Sequence, residues 1–306
     1  APVFPTSTCA VTNWFPVSER ARANALALSG VSIGSFLVPP IVSWMILQWS
    51  WQSSFFIAST FSLILTIIWV SYLQDHPSGH SAVNEAELNF IYADTALDTE
   101  PPSQPPSIKS QLANGNLWRL VVSYGMNGYV SYIFVFWIFL YLKQVRHLSQ
   151  TESGWLTTVA WMLAAVSTIV GGYLSDRLIK TNLGLDWGRR MVPMGCQVGA
   201  AIFLAIGARL ENAYMAAAML AICTGLILGV EGPYWAVSNQ ISGRKAGFAG
   251  GLMNTGSNFG GVISPTLTPF IAHYFGWVRA LDFACVVAIG SALLWIWISP
   301  PKKPGR

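Results

Sequence analysis

Charge is what this chain has least of. Of its 306 residues only 10% are Asp, Glu, Lys or Arg, where a soluble domain carries about 25%. That shortfall excludes an ordinary water-soluble surface. Cysteine is scarce too. Cys9, Cys196, Cys223 and Cys285 are scattered among apolar stretches with no CxxC pair, which indicates neither a disulfide framework nor a zinc site. The four histidines, His76, His80, His147 and His273, fall in loops or at the ends of apolar runs. No HExxH or Walker pattern occurs, so metalloprotease and nucleotide-driven pump chemistries lack their residues. No catalytic residue, metal ligand or cofactor is assigned, and no nucleic-acid partner is expected. Ala1–Pro16 has no basic region followed by an apolar run, so no cleavable signal is read there.

What the chain does have suits a bilayer. It is 53% apolar, with 14 tryptophans and 27 glycines; Trp anchors membrane interfaces and Gly packs helices closely. A bilayer core of about 30 Å needs roughly 20 apolar residues per helix. Eight stretches satisfy this: 23–47, 52–73, 120–142, 154–175, 191–208, 212–235, 246–272 and 283–300. The stub 1–14 reads as the tail of an earlier span. Counted on alternate sides of these spans, Lys and Arg divide thirteen to four. The rich side holds Arg20, Arg22, Lys109, Arg119, Arg177, Lys180, Arg189, Arg190, and the basic residues after Ser242 and Pro300. The poor side holds Lys143, Arg146, Arg209 and Arg279. By the positive-inside rule the rich side is cytoplasmic. The chain therefore reads as an all-α, multi-pass protein of the bacterial inner or plasma membrane, its linker and C-terminus cytoplasmic and the lipid bilayer its partner.

The spans contain a repeat. At a constant offset, Gly30 matches Gly256, Gly34 matches Gly260, Pro39 matches Pro265 and Trp51 matches Trp277. Such a repeat marks transporters built from two related halves. Only about 25 residues precede the first copy, whereas several spans precede the second, so the first half is expected to be N-terminally incomplete: about eight complete helices plus a stub. The expected organisation is a remnant of the first half over 1–73, a cytoplasmic linker over 74–116, a six-helix half over 117–300 and a tail over 301–306. The linker carries Asp75, Glu85, Glu87, Asp94, Asp98 and Glu100, then Pro101–Pro106. Asn84 with Glu87 three residues on predicts a capped surface helix over 85–93.

Specific motifs narrow the class. Asn13-Trp14-Phe15-Pro16 followed by Glu19-Arg20-Ala21-Arg22-Ala23 resembles the loop between the fourth and fifth helices of major facilitator transporters. More narrowly it resembles their anion:cation symporter family, carriers of organic anions such as sugar acids, glycerol phosphate or aromatic acids. Gly172–Arg177 is similar to the second-half copy of the superfamily's cytoplasmic signature, with its basic pair delayed to Arg189-Arg190 by the insert Thr181–Gly188. Gly232–Trp235 and Asn254–Asn258 resemble the tenth and eleventh helices. The resemblance implies the major facilitator fold, with the chain starting inside the fourth helix. The family's first-half substrate arginines and proton-linked carboxylates fall on positions this chain does not contain.

Three polar stripes lie within the spans: Glu231, Trp235 and Ser238; Asn254, Ser257 and Asn258; Tyr124, Asn127 and Ser131. Polar groups are costly in lipid unless they converge on water or on each other. Tyr124, Asn127, Trp235, Asn254 and Asn258 are the candidate substrate contacts, with interhelical hydrogen bonding as the plainer alternative. Glu231 stands well inside an apolar stretch, where a charge costs at least about 2.5–3.5 kcal/mol on insertion scales, and is the candidate for proton coupling. Asp176 is placed to meet the positive start of the helix near Ala23. With Arg177, Arg20 and Arg22 it forms a candidate gate.

The expected function is secondary active transport of a small organic anion (a sugar acid, carboxylate or aromatic acid) by alternating access, coupled to a proton or another cation. A transporter-like receptor or scaffold stays open, as does a non-functional truncated fragment. The 306-residue chain alone is expected neither to couple a gradient nor to accumulate substrate, with Ser29, Ser32 and Ser35 turned to lipid or a flooded cleft.

Overall fold

A computed structural model describes residues 3–93, 108–242 and 246–299, with only the backbone of Pro39, Pro40, Ser43, Leu47 and Ala93. The linker residues Asp94, Asp98, Glu100 and Pro101–Pro106, the pair Arg244 and Lys245, and the tail 300–306 lie outside the described residues. Helices account for nearly all regular structure, and no strand occurs among the described residues. In chain order they are α1 (Val3–Trp14), α2 (Arg20–Gln48), α3 (Trp51–Tyr72), α4 (Glu85–Ala93), α5 (Ile108–Leu112), α6 (Gly115–Leu140), α7 (Gln150–Leu178), α8 (Gly184–Arg209), α9 (Ala213–Leu228), α10 (Glu231–Ser242), α11 (Ala246–Phe275) and α12 (Trp277–Leu294).

Seven of the helical stretches are long and apolar enough to cross a membrane. The apolar run over 212–235 is one such stretch, broken at Gly229 and Val230 into α9 and α10. α11 is long enough at 30 residues, but Asn254, Ser257, Asn258 and two prolines lower its apolarity. It nonetheless packs closely on α6, Gly256 against Val121 and Gly260 against Gly125 and Tyr129. In a bilayer the helix is the only open-ended element that satisfies its own backbone, and side-chain caps close several ends. Ser50 caps α3 and Asn212 caps α9, while Ser149 and Glu152 form a reciprocal capping box on α7. α4 occupies the predicted 85–93, with the Glu87 N–H donating to Asn84 Oδ1 at 2.8 Å.

Both copies of the repeat consist of a long helix, a short turn and a helix that opens on the matched tryptophan: α2–α3 on Trp51, α11–α12 on Trp277. Their glycines differ in surroundings. A Cβ on Gly256 would come within 2.7 Å of the Val121 carbonyl, and one on Gly260 within 2.3 Å of the Gly125 carbonyl. Those glycines let α11 lie directly on α6. Gly30 and Gly34 meet no described atom within 4 Å of the same position, and α3 is exposed along nearly its whole length.

The first copy docks on the second half through α2 against α7 and α10, and α1, which precedes it, packs on α11. Ser29 and Ser32 are buried in this docking, each 3% exposed. This corrects the expectation that they face lipid or open water. One end of the bundle gathers the starts of α2 and α8 and the end of α7. The opposite end gathers the α6–α7 turn, the start of α9 and the start of α12, joined by the Glu152–Tyr214 hydrogen bond and the Tyr141–Trp277 ring contact.

Candidate functional site

Three of the candidate residues come together. Tyr124 OH donates to Glu231 Oε2 at 2.6 Å, and Trp235 Nε1 donates to the same oxygen at 3.3 Å. Tyr124 is 5% exposed and Trp235 1%. The Glu231–Trp235 contact follows from i, i+4 spacing on α10; Tyr124 arrives from α6, 107 residues away in sequence. Phe4 of α1 packs on Trp235, with ring centroids 6.1 Å apart. Gly250 of α11 lets the indole edge approach, since a Cβ there would sit 3.0 Å from it. Among the described residues the Glu231 carboxylate has no ion-pair partner, so neutral O–H and N–H donors alone hold it.

The other candidates are dispersed around this cluster. Asn127 on α6 is buried, its Oδ1 without a hydrogen-bond partner among the described residues. Asn254 is half-buried on α11. Asn258 is exposed; its Nδ2 donates to the Asn254 carbonyl at 2.8 Å and its Oδ1 accepts from Tyr132 OH at 3.3 Å. Ser257, expected on the same stripe, lies instead against Gly128 of α6. Tyr132 was not singled out by the sequence reading, since its only signal is a hydroxyl eight residues beyond Tyr124. Deeper still, Tyr234 OH meets Ser123, Ser291 and Gln197 in a buried network that ties α6, α12 and α8 to α10.

Asp176 makes a second centre. Its Oδ2 accepts from the Arg22 backbone N–H at 2.7 Å, in the first turn of α2. Its Oδ1 pairs with Arg189 at 2.5 Å, both side chains being buried. Arg189 also donates to Ser175 Oγ at 3.1 Å and, across to the first copy, to the Val17 carbonyl at 2.9 Å. The arginines named from sequence sit differently. Arg22 contributes its backbone, while its side chain pairs with Glu19 at 2.8 Å. Arg20 donates to the Phe15 and Thr12 carbonyls at the end of α1, and Arg177 is exposed. The partner is Arg189 because the insert Thr181–Gly188 turns at Gly184, with φ +64°, and forms the opening of α8. Gly188 packs against Ile179, where a Cβ would stand 2.6 Å from the backbone nitrogen. Directly beneath, Gly172 and Gly232 bring α7 and α10 against Ala21 and Ala25 of α2: a Cβ on Gly172 would stand 2.4 Å from Ala25 Cβ, and one on Gly232 2.5 Å from the Ala21 carbonyl.

A cavity of about 580 Å³ opens near the opposite end between α2, α6 and α7, and none of the candidate residues lines it. Phe139 on its wall is 15 residues from Tyr124 along α6, a separation of about 22 Å.

Long apolar helices built on an internal repeat, with an acidic side chain buried between them, define a multi-pass helical membrane protein. The model of the Major Facilitator Superfamily matches residues 1–236 and 181–306, and the chain belongs to that superfamily. It is similar to a probable galactarate/D-glucarate transporter of Bacillus subtilis, 28% identical over 99% of this chain and 68% of that protein. It is similar to a D-galactonate transporter of Escherichia coli, 29% identical over 97% and 70% of the two chains. A probable chloroplastic anion transporter of Oryza sativa is 26% identical over 96% of this chain and 49% of its own. The chain thus spans about half to seven tenths of the length of these relatives.

Proposed function

We propose that the chain is part of a secondary active transporter, not an enzyme, that moves a small organic anion of the sugar-acid type by alternating access with a proton as the coupling ion. The observation that carries alternating access is the junction at Asp176. It joins the first copy of the repeat to the second half through two hydrogen bonds and a close helix crossing, a small contact set that one rigid-body rocking can break and remake. The similarity to the galactarate/D-glucarate and D-galactonate transporters, over 97–99% of this chain, supports the substrate class.

Glu231 is the proposed proton carrier. An ionised carboxylate at that depth without a cation is costly, and taking up a proton removes the charge while keeping a hydrogen bond to Tyr124 or Trp235. Asn254, Asn258 and Asn127 supply the amides, and Tyr124 and Trp235 the wall, of the proposed substrate region. By the thirteen-to-four basic bias the Asp176 end faces the cytoplasm, so the arrangement described is closed to that side. The test is uptake of labelled D-glucarate and D-galactonate by proteoliposomes containing the whole protein, with and without an inward proton gradient. Gradient-driven accumulation is the expected result; binding without translocation would instead make the protein a receptor.

A further inference from the structure

We infer that the cavity between α2, α6 and α7 is an entry site for a polyhydroxylated anion, distinct from the Glu231 cluster; the inference rests on the transport reading above and adds a second binding station to it. The volume of about 580 Å³ falls within the range of about 300–1,000 Å³ usual for small-ligand pockets. The identity of the lining residues argues for a polyol. Trp155, Trp161, Phe36 and Phe139 supply aromatic faces, and Ser35, Thr157 and Thr158 supply hydroxyls.

Those hydroxyls have already spent their hydrogens. Ser35 Oγ donates to the Val31 carbonyl at 2.8 Å, Thr157 Oγ1 to Ser153 at 2.7 Å and Thr158 Oγ1 to Gly154 at 3.0 Å. Each oxygen therefore has only acceptor capacity left to offer a ligand, and a matching ligand brings O–H donors. Aromatic faces suit the C–H side of a sugar-like chain. Among the described residues no aliphatic side chain and no carboxylate lines the cavity. The first absence disfavours a lipid tail; the second admits an anion. The cation stands at the rim, where Lys143 Nζ donates to Gln150 Oε1 at 3.2 Å. Lys143 is exposed, and it leaves the Gln150 amide nitrogen as a further donor. A carboxylate at Lys143 with hydroxyls reaching Thr157 and Thr158 would engage the cation and two of the three acceptors.

The site is tested by protection of a cysteine at its mouth. The whole protein carries Thr151→Cys with Cys9 and Cys196 replaced by serine, sits in lipid nanodiscs, and is labelled with a membrane-impermeant maleimide. D-glucarate should slow labelling, and adipate, the same dianion without hydroxyls, should need at least about tenfold more to give equal protection. Protection should persist with Glu231→Gln, since the two sites are separate. Thr158→Val should raise the half-protecting glucarate concentration about tenfold, as for one lost hydrogen bond. Gly154→Leu should abolish protection by filling the cavity, because a Cβ there meets nothing within 4 Å and the change should not disturb packing. Equal protection by adipate overturns the inference, as does its loss with Glu231→Gln. So does labelling that is slow in nanodiscs and fast in detergent whatever the glucarate concentration, which would mark a lipid site. Uptake without protection defeats only the entry site; protection without uptake defeats only the transport reading.

Discussion

Replacing Asp176 by asparagine separates the gate from the scaffold that carries it. Opening at this end has to break the bonds between the first copy and the second half. Among them are Arg22 N–H to Asp176 Oδ2 at 2.7 Å and Arg189 to the Val17 carbonyl at 2.9 Å. The Asp176–Arg189 pair lies wholly on the α7–α8 side and survives opening. A hydrogen bond to a charged group is worth about 1.5–3 kcal/mol and a neutral one about 0.5–1.5 kcal/mol. The amide keeps an acceptor for Arg22 but of the neutral kind, so the closed state loses about 1–1.5 kcal/mol, a factor of about 5–12 in the closed-to-open ratio. Arg189 is left buried without its counter-charge in the closed state and regains water on opening, so this factor is a lower bound. The whole protein also loses stability, since breaking a buried pair costs about 3–5 kcal/mol. Cys9 provides the assay. It is half-buried where α1 meets α11, and a Cβ on Gly247 would stand 2.8 Å from its sulfur. In a Cys196→Ser background, Asp176→Asn should speed maleimide labelling of Cys9 at least about fivefold and lower the Tm. A lowered Tm with an unchanged labelling rate would refute the reasoning, leaving the pair as a scaffold contact only.

Gly172→Ala tests the same closure without touching a charge: the added methyl meets Ala25 Cβ at 2.4 Å, so Cys9 labelling should rise as it does for Asp176→Asn, and an unchanged rate would show that α2 and α7 give way without opening. In the whole protein, Asn258→Ala should weaken uptake about fivefold while leaving expression intact, as for a lost hydrogen bond of about 1 kcal/mol; unaltered uptake kinetics would reduce Asn258 to a packing residue that meets Tyr132. Cysteines at Ser78 and Ser149 should label from opposite sides of the membrane; labelling from one side would break the assignment of spans.

Much of the architecture is legible because a bilayer leaves one solution for an apolar run of 20 residues. The repeat, the matched Trp51 and Trp277 and the Asn84 cap all follow from local pattern. The break at Gly229 does not, because glycine also serves continuous membrane helices. The eleventh helix is marked by its Asn and Gly pattern more than by apolarity, since its glycines seat one face on α6 while Phe259, Val262 and Phe270 stay exposed. In the candidate site, spacing on one helix gives Glu231 with Trp235, but Tyr124 comes from a distant span and no local signal pairs them. Asp176 is recognisable as a helix-start ligand. Its cation is not, because Arg189 becomes its partner only once the insert Thr181–Gly188 folds into α8; the nearer arginines bond to their own ends of the chain. Ser257 fails the stripe reading for a similar reason. Helical spacing places it with Asn254 and Asn258, yet Gly128 admits α11 so closely that Ser257 is turned onto α6.

Proton-driven uptake through Glu231 is the claim on which the rest depends. The direct measurement is accumulation of labelled D-glucarate by proteoliposomes of the whole protein under an inward proton gradient, with Glu231→Gln alongside. The glutamine keeps an acceptor for Tyr124 and Trp235 and holds no exchangeable charge, so gradient-driven accumulation should vanish while glucarate–glucarate exchange across the membrane continues. Accumulation by the glutamine variant that still follows the proton gradient would contradict the assignment of Glu231.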